Sequence, residues 1–153
     1  MNLLITIFVF FFMEGVAWFT HKYVMHGFLW YLHEDHHSGS EGFFEKNDAF
    51  FLIFAIPGFL GTFLGAINGF NFWFGIGLGI TFYGMGYFLV HDVLIHRRFK
   101  WMDWFRNGYT EKIIRAHKLH HKSLAKEEGA YFGMLWIPLK FYKQQKTSKN
   151  QSA

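Results

Sequence analysis

The stretch RAHKLHH, residues 115–121, places three histidines at positions i, i+3 and i+4, namely His117, His120 and His121. On an α-helix these three side chains fall within an arc of roughly 100°. Imidazole is a common ligand of zinc, copper, iron and nickel, and it is a poor choice for a packing surface. The stretch therefore predicts a helix that contributes three ligands to a metal centre.

The same spacing occurs a second time, and a pair of histidines five residues apart precedes each copy. A single histidine on a helix usually lies on the surface, but all ten histidines here belong to two copies of H-x4-H followed by H-x2-H-H. Ten imidazoles suffice for two ions with about five ligands each. The predicted ligands are His21, His26, His33, His36, His37, His91, His96, His117, His120 and His121.

The five-residue spacing does not suit a regular α-helix, on which such side chains lie about 140° apart. Two local structures would bring His21 and His26 together. One is a π-bulge. The other is a helix that ends at His26, with Gly27 as a left-handed cap. The spacing leaves both open.

Composition excludes several kinds of site and favours a membrane protein. The chain has no cysteine, which rules out disulfides, thiolate-held iron–sulfur clusters and cysteine-type zinc sites. Of its 153 residues, 52% are hydrophobic and 22 are phenylalanine, which exceeds an ordinary soluble domain. We therefore predict an all-α integral membrane protein with a single domain over 1–142 and a disordered tail over 143–153.

Three apolar runs are long enough to cross a bilayer, which takes about 20 residues. They cover about 2–20, 49–67 and 70–90, and the first lacks the basic start and cleavage site of a signal peptide. Interfacial helices are predicted at about 97–126 and at about 130–142, the latter being too short to span and interfacial or re-entrant. The predicted architecture is three to four transmembrane helices with a cytoplasmic, histidine-rich helical cap that holds a dinuclear metal site.

Basic residues predict the orientation. All 15 lysines and arginines lie within 22–46 or 97–149, so the positive-inside rule places these segments in the cytoplasm. The ten histidines then lie at the cytoplasmic edge of the membrane. The basic, aromatic stretch 97–126 is also typical of nucleic-acid binding, but the flanking spans argue against that partner. Membrane lipid is the expected neighbour, and a basic face would suit an acidic electron donor.

Spans two and three each carry a G-x3-G pair, at 61/65 and 75/79, which allows close approach of helix backbones in lipid. A hairpin folded near 68–70 would set Gly61 opposite Gly77 and Gly65 opposite Trp73.

Three carboxylates are candidates for orienting ligating imidazoles through their second ring nitrogen, namely Glu14, Asp35 and Asp92. For Glu14, which lies inside the first span, the alternatives are a polar group in a substrate channel and an interhelical hydrogen bond to Asn68, Asn71 or a threonine. For the two aspartates the alternative is a solvated or salt-bridged carboxylate. Asn47 or Asp48 is predicted to cap the start of span two.

A dinuclear site with nitrogen ligands beside an apolar membrane interior indicates oxidation of a lipid-like molecule. The metals would activate dioxygen and take a hydrogen atom from an unactivated C–H bond. No catalytic side chain beyond the metal ligands is expected. The Glu-x-x-His pattern of bundle-type di-iron proteins is missing from this sequence.

Four stretches carry a resemblance to a known family: EGVAWFTHKYVMH (14–26), HEDHH (33–37), HDVLIH (91–96) and RAHKLHH (115–121). They resemble the membrane fatty acid hydroxylase and sterol desaturase superfamily, and within it the bacterial β-carotene 3-hydroxylases, over nearly the whole chain apart from the tail. The resemblance implies a non-haem di-iron monooxygenase of a bacterial inner membrane, in which the ten histidines bind two Fe ions and O2 is the co-substrate. It further implies hydroxylation of β-carotene via β-cryptoxanthin to zeaxanthin, with electrons from reduced ferredoxin or a similar donor.

Other functions fit the same ligands. A related di-iron hydroxylase, ketolase or desaturase could act on another lipid. A non-oxidative membrane metal-binding or transport protein is a second alternative, although transport favours polar ligands at mid-membrane rather than at one edge. Metal-dependent hydrolysis by a zinc pair is a third.

Overall fold

The computed structural model describes residues 1–39, 42–99, 105–122, 126 and 131–137, and the regular structure within them is entirely helical. The predicted all-α fold is therefore confirmed. Two π-helical segments, Thr20–Phe28 and Leu89–Ile95, directly continue the first and fourth α-helices. The α-helices are α1 (Asn2–Phe19), α2 (Trp30–Ser38), α3 (Asp48–Ile67), α4 (Phe72–Phe88) and α5 (Thr110–His120).

Three helices in the described part of the chain are long and apolar enough to cross a membrane: Asn2–Phe28, Asp48–Ile67 and Phe72–Ile95. They occur where three spans were predicted, and the first and third run further because each continues as a π-helix. Large apolar side chains such as Phe8 and Phe59 stay exposed on their outer surfaces. Such surfaces suit lipid and not water, so the chain is an integral membrane protein.

Helix α4 packs between α1 and α3, and its glycines permit this. A Cβ atom on Gly61 would lie 3.1 Å from the Cα atom of Gly77, which confirms the predicted pairing. Gly65 faces Phe74, one residue from the predicted Trp73. The pair at 75/79 serves the other side of α4, because a Cβ atom on Gly79 would lie 2.6 Å from that of Val9 on α1.

The predicted interfacial helices differ from the structure. Of 97–126, the described part is α-helical only over Thr110–His120, because the Asn107 side chain accepts the N–H groups of Tyr109 and Thr110 and starts a new helix there. The predicted helix at 130–142 is wrong over 131–137, which is irregular. The remainder of 130–142 and the predicted tail lie outside the described residues.

Helix α5 is held beneath the spans by an apolar cluster. The cluster joins three pieces of chain: the second π-helical segment, the inner face of α5 and the 131–137 segment. These contacts fix the histidine-bearing face of α5 against the ends of the membrane helices. The buried members are Leu94, Ile95, Ile113, Ile114, Met134 and Ile137.

Candidate metal centre

The ten histidines converge at one end of the three spans, although they come from four separate stretches of sequence. Eight are buried and two, His96 and His121, are half-buried. Nine of them form two groups in which the ligand nitrogens lie within 4.8 Å of one another. The five-histidine group is His21, His26, His33, His37 and His120, and the four-histidine group is His36, His91, His96 and His117.

The tenth histidine, His121, lies beside the four-histidine group. Its Nε2 atom is 2.8 Å from Nε2 of His117, and its ring stacks on that of His37 with centroids 4.5 Å apart. His121 therefore touches members of both groups and brings the number of imidazoles at the four-histidine group to five.

The first H-x4-H pair lies within the π-helical segment Thr20–Phe28, and the second starts within Leu89–Ile95 and ends at His96, the residue that directly follows it. The i→i+5 hydrogen bond of a π-helix sets residues five apart nearly above each other. The backbone N–H of His96 donates to the carbonyl oxygen of His91 at 2.9 Å, five residues earlier. The π-helical alternative is therefore confirmed. The left-handed cap is wrong, because Gly27 has φ −105°.

Each H-x2-H-H helix contributes to both groups. On α2, His33 and His37 belong to the five-histidine group and His36 to the four-histidine group. On α5, His120 joins the five-histidine group and His117 the other. The i and i+4 side chains of each helix point the same way while the i+3 side chain diverges. The two copies of the sequence motif are therefore not two separate metal sites.

In the five-histidine group, uncharged acceptors hold the second ring nitrogen of three histidines. The Nδ1 atom of His21 lies 3.1 Å from the carbonyl oxygen of Phe132, and that of His26 lies 2.9 Å from the carbonyl of Lys126. The Nδ1 atom of His33 lies 2.7 Å from Oδ1 of Asn47. Because these oxygens only accept, each Nδ1 carries the proton and each Nε2 presents a lone pair.

In the four-histidine group, two of the corresponding acceptors are carboxylates. The Nδ1 atom of His36 lies 2.6 Å from Oε2 of Glu45, and that of His91 lies 3.2 Å from Oδ2 of Asp92. Carboxylate partners make an imidazole a stronger metal ligand. These two contacts again leave the Nε2 atoms unprotonated.

The unprotonated Nε2 atoms of histidines in the same group face one another. Their close approach shows whether these residues fit a metal ion. The Nε2 atoms of His21 and His33 are 3.1 Å apart, and those of His36 and His91 are 3.0 Å apart. With both protons on Nδ1, no hydrogen lies between the paired lone pairs, so each contact is repulsive unless a cation lies between them. The donor set therefore fits two metal ions.

Burial favours the neutral form of imidazoles such as His36 and His117, and metal ligands must be neutral. Burial lowers the pKa of His36 and of His117 well below the ordinary value, and the neighbouring histidines lower it further. The same causes lower the pKa of His121 to about 3. A cluster this dense cannot hold several imidazolium charges, so it presents nitrogen lone pairs at neutral pH.

Of the three predicted carboxylates, Asp92 alone has a hydrogen bond to a histidine ring among the described contacts. Asp35 instead accepts the backbone N–H of Lys46 at 2.7 Å and anchors the loop before α3. Glu45 and Asn47 on that loop hold histidine rings, a role that sequence reasoning missed. Their only sequence signal is the polar run EKND, residues 45–48, directly before a span.

Residues 6–138 match the fatty acid hydroxylase family. This match covers most of the chain, including all ten histidines. The chain belongs to the fatty acid hydroxylase family.

Several relatives of this fatty acid hydroxylase are named beta-carotene hydroxylase. The protein from Pseudescherichia vulneris is 42% identical over 81% of this chain and 70% of its own length. That from Pantoea ananas is 40% identical over 82% of this chain and 71% of its own. A Paracoccus protein is 36% identical over 90% of this chain and 85% of its own. No solved structure matches the chain.

In this fatty acid hydroxylase, Glu14 lies within α1 and binds the 131–137 segment. Its Oε1 atom accepts three consecutive backbone N–H groups, those of Met134, Leu135 and Trp136, at 2.9 to 3.1 Å. Its Oε2 atom accepts the hydroxyl of Tyr83 at 2.8 Å. These bonds take the N–H groups that a helix over 131–137 would need, which explains why that segment is irregular.

Glu14→Gln should therefore destabilise the fatty acid hydroxylase. The amide offers an acceptor at one position only, so either the Tyr83 hydroxyl proton or the three N–H groups lose their acceptor, at a cost of about 1–3 kcal/mol. The check is the thermal unfolding midpoint in detergent, with Tyr83→Phe as a milder comparison that removes one donor. An unchanged midpoint for Glu14→Gln would show that the carboxylate does not hold the segment.

Proposed function

We propose that this protein is a β-carotene hydroxylase that inserts oxygen at C3 of each β-ionone ring and forms zeaxanthin through β-cryptoxanthin. The observation that carries the proposal is the convergence of the ten histidines, nine of them in two groups and His121 beside one, in a chain 36–42% identical to proteins named beta-carotene hydroxylase. Each hydroxylation would consume one O2, two electrons and two protons, and would release one water with the alcohol. The electrons would come from reduced ferredoxin or a similar carrier.

The two metal ions are proposed to be iron. The five-histidine group would hold one ion, and the four-histidine group with His121 would hold the other. When bound, such a pair supplies activation of dioxygen and oxidation of an unactivated C–H bond. All ten histidines are proposed ligands of these two ions.

The protein residues hold the ligands and keep the site dry. The Phe132 ring packs against His21 and His120, with centroids 5.4 Å and 5.1 Å apart, and the Trp30 ring lies 5.1 Å from that of His26. These aromatic side chains exclude water from the five-histidine group. Because the π-helical segments continue two apolar spans, a carotenoid in the bilayer would bring its terminal ring toward the histidines from the lipid side.

The metal centre is proposed to lie at the cytoplasmic face of a bacterial inner membrane. The lysines and arginines flank the histidine end of the spans, which supports this orientation. Arg115, Lys118 and Lys122 are exposed on the outer side of the helical stretch whose inner face carries His117 and His120. An acidic electron donor bound there would be one helix away from the metals.

Expression in cells that accumulate β-carotene should yield β-cryptoxanthin and then zeaxanthin. Pigments are separated by chromatography and identified by mass. The matched control is His33→Ala at equal membrane abundance, which should leave β-carotene unchanged. Unchanged β-carotene in the presence of folded, iron-loaded parent protein contradicts the proposal, whereas keto or desaturated products would assign the chain to the alternative chemistries.

A further inference from the structure

Arg98 lies between three carboxylates that come from different parts of the chain. Its Nη1 atom is 2.8 Å from Oδ1 of Asp48 and 3.1 Å from Oδ1 of Asp92, and its Nη2 atom is 3.1 Å from Oε2 of Glu45. Glu45 belongs to the loop before α3, Asp48 begins α3, and Asp92 lies in the second π-helical segment. A planar guanidinium can bridge such a set, whereas a lysine ammonium is a single point charge.

Two of these carboxylates also hold histidine rings. Oε2 of Glu45 accepts from Nδ1 of His36 and forms an ion pair with Nη2 of Arg98. Asp92 places one oxygen near Nη1 of Arg98 and the other on Nδ1 of His91. The Nε2 atoms of His36 and His91 face each other in the four-histidine group. A continuous chain of contacts therefore runs from Arg98 through two carboxylates to two predicted ligands of one metal.

The charges of this cluster also fit a nearby cation. Three carboxylates against one guanidinium leave two formal negative charges. Arg98 therefore holds the carboxylates together without neutralising them. A divalent ion at the four-histidine group would balance the remainder.

The five-histidine group is held differently. The described partners of His21, His26 and His33 are two backbone carbonyls and an amide, which carry no charge. None of those three contacts involves Arg98 or its carboxylates. A change at Arg98 should therefore act on one metal position and spare the other.

We propose that Arg98 is a positioning residue for the four-histidine group, where it holds Glu45 and Asp92 against His36 and His91 and so sets the affinity of that group for its metal. This inference rests on the proposed two-metal centre. Loss of the guanidinium lets the two carboxylates repel each other and withdraw from the imidazoles. The affinity of the four-histidine group should then fall by about 10–100-fold, as for other groups that orient metal ligands.

The test is iron retention by full-length protein in detergent. Parent, Arg98→Gln and Arg115→Gln are loaded with ferrous iron and dialysed against a graded series of a chelator, and the iron per chain is then measured. Arg115→Gln is the matched control, because it removes an exposed arginine from α5. Parent and control should keep two ions where Arg98→Gln keeps one, and Mössbauer spectra of the variant should lose one of two iron environments.

Retention of both ions by Arg98→Gln at parental chelator concentrations overturns the proposal, as does parallel loss of both ions from folded protein. Should Arg98→Gln not fold, Arg98→Lys is measured instead. Arg98→Lys should lose the same single ion, at a lower chelator concentration than the parent requires. If Arg98→Lys retains both ions as the parent does, the proposal is wrong. If the parent protein holds fewer than two ions, the proposed two-metal centre is wrong and the role of Arg98 falls with it. If the parent holds two ions but leaves β-carotene unchanged, only the proposed substrate is wrong.

Discussion

Replacing His120 with alanine should reduce carotene hydroxylation by on the order of 1000-fold while leaving the protein in the membrane. His120 is fully buried, and its Nε2 atom is 3.1 Å from Nε2 of His26. Its ring also contacts those of His21 and His37. Alanine removes a ligand from the middle of the five-histidine group, and no neighbouring side chain can take its place.

The control for this variant is Leu119→Ala, which changes the preceding, partly exposed residue of α5. Both proteins should reach the membrane in equal amounts, because the apolar spans that insert are unchanged. Hydroxylation is measured as zeaxanthin formed per unit of protein, and iron per chain is measured alongside. Near-parental activity and two bound ions in the His120→Ala protein would remove His120 from the ligand set.

Gly77→Ala should prevent α3 and α4 from packing. A Cβ atom at this position would lie 2.1 Å from the backbone nitrogen of Thr62 and 2.5 Å from the backbone carbon of Gly61. Backbone atoms in the middle of a helix cannot move aside as a side-chain end can, so the helices must separate. We expect the free energy of unfolding to fall by at least about 3 kcal/mol, which is the upper end of the range typical of overpacked core substitutions.

Gly84→Ala is the matched control for this variant. Gly84 lies in the same helix, but a Cβ atom there would meet nothing within 4 Å. Gly84→Ala should change the free energy of unfolding by no more than about 1 kcal/mol. Helix propensity favours an increase, because alanine is a better helix former than glycine. The measurements are the fraction of monodisperse protein in detergent and the thermal unfolding midpoint. Equal midpoints for the two variants would mean that the close contact at Gly77 does not determine packing.

The local features of the metal centre follow from spacing alone. Three histidines at i, i+3 and i+4 share a helix face whatever surrounds them. The five-residue pairs, such as His91 and His96, exclude a regular helix, which would turn them apart, but their spacing left a π-helix and an ended helix both open until the structure showed the π-helix. Hydropathy likewise located the three apolar helices. The sequence pattern wrongly predicted a helix over 131–137. Glu14 binds the backbone of this segment although Met134 is 120 residues away in sequence.

The sequence by itself determined which side chains could bind metal, which helices carry them and which helices are apolar enough for a membrane. Only the tertiary structure decided how the imidazoles divide between two groups, and which acceptor holds each ring. The partners of His21 and His26 are carbonyls 111 and 100 residues further along the chain. Spacing describes neighbours on one helix, whereas these contacts depend on how separate segments pack, and no local pattern encodes that.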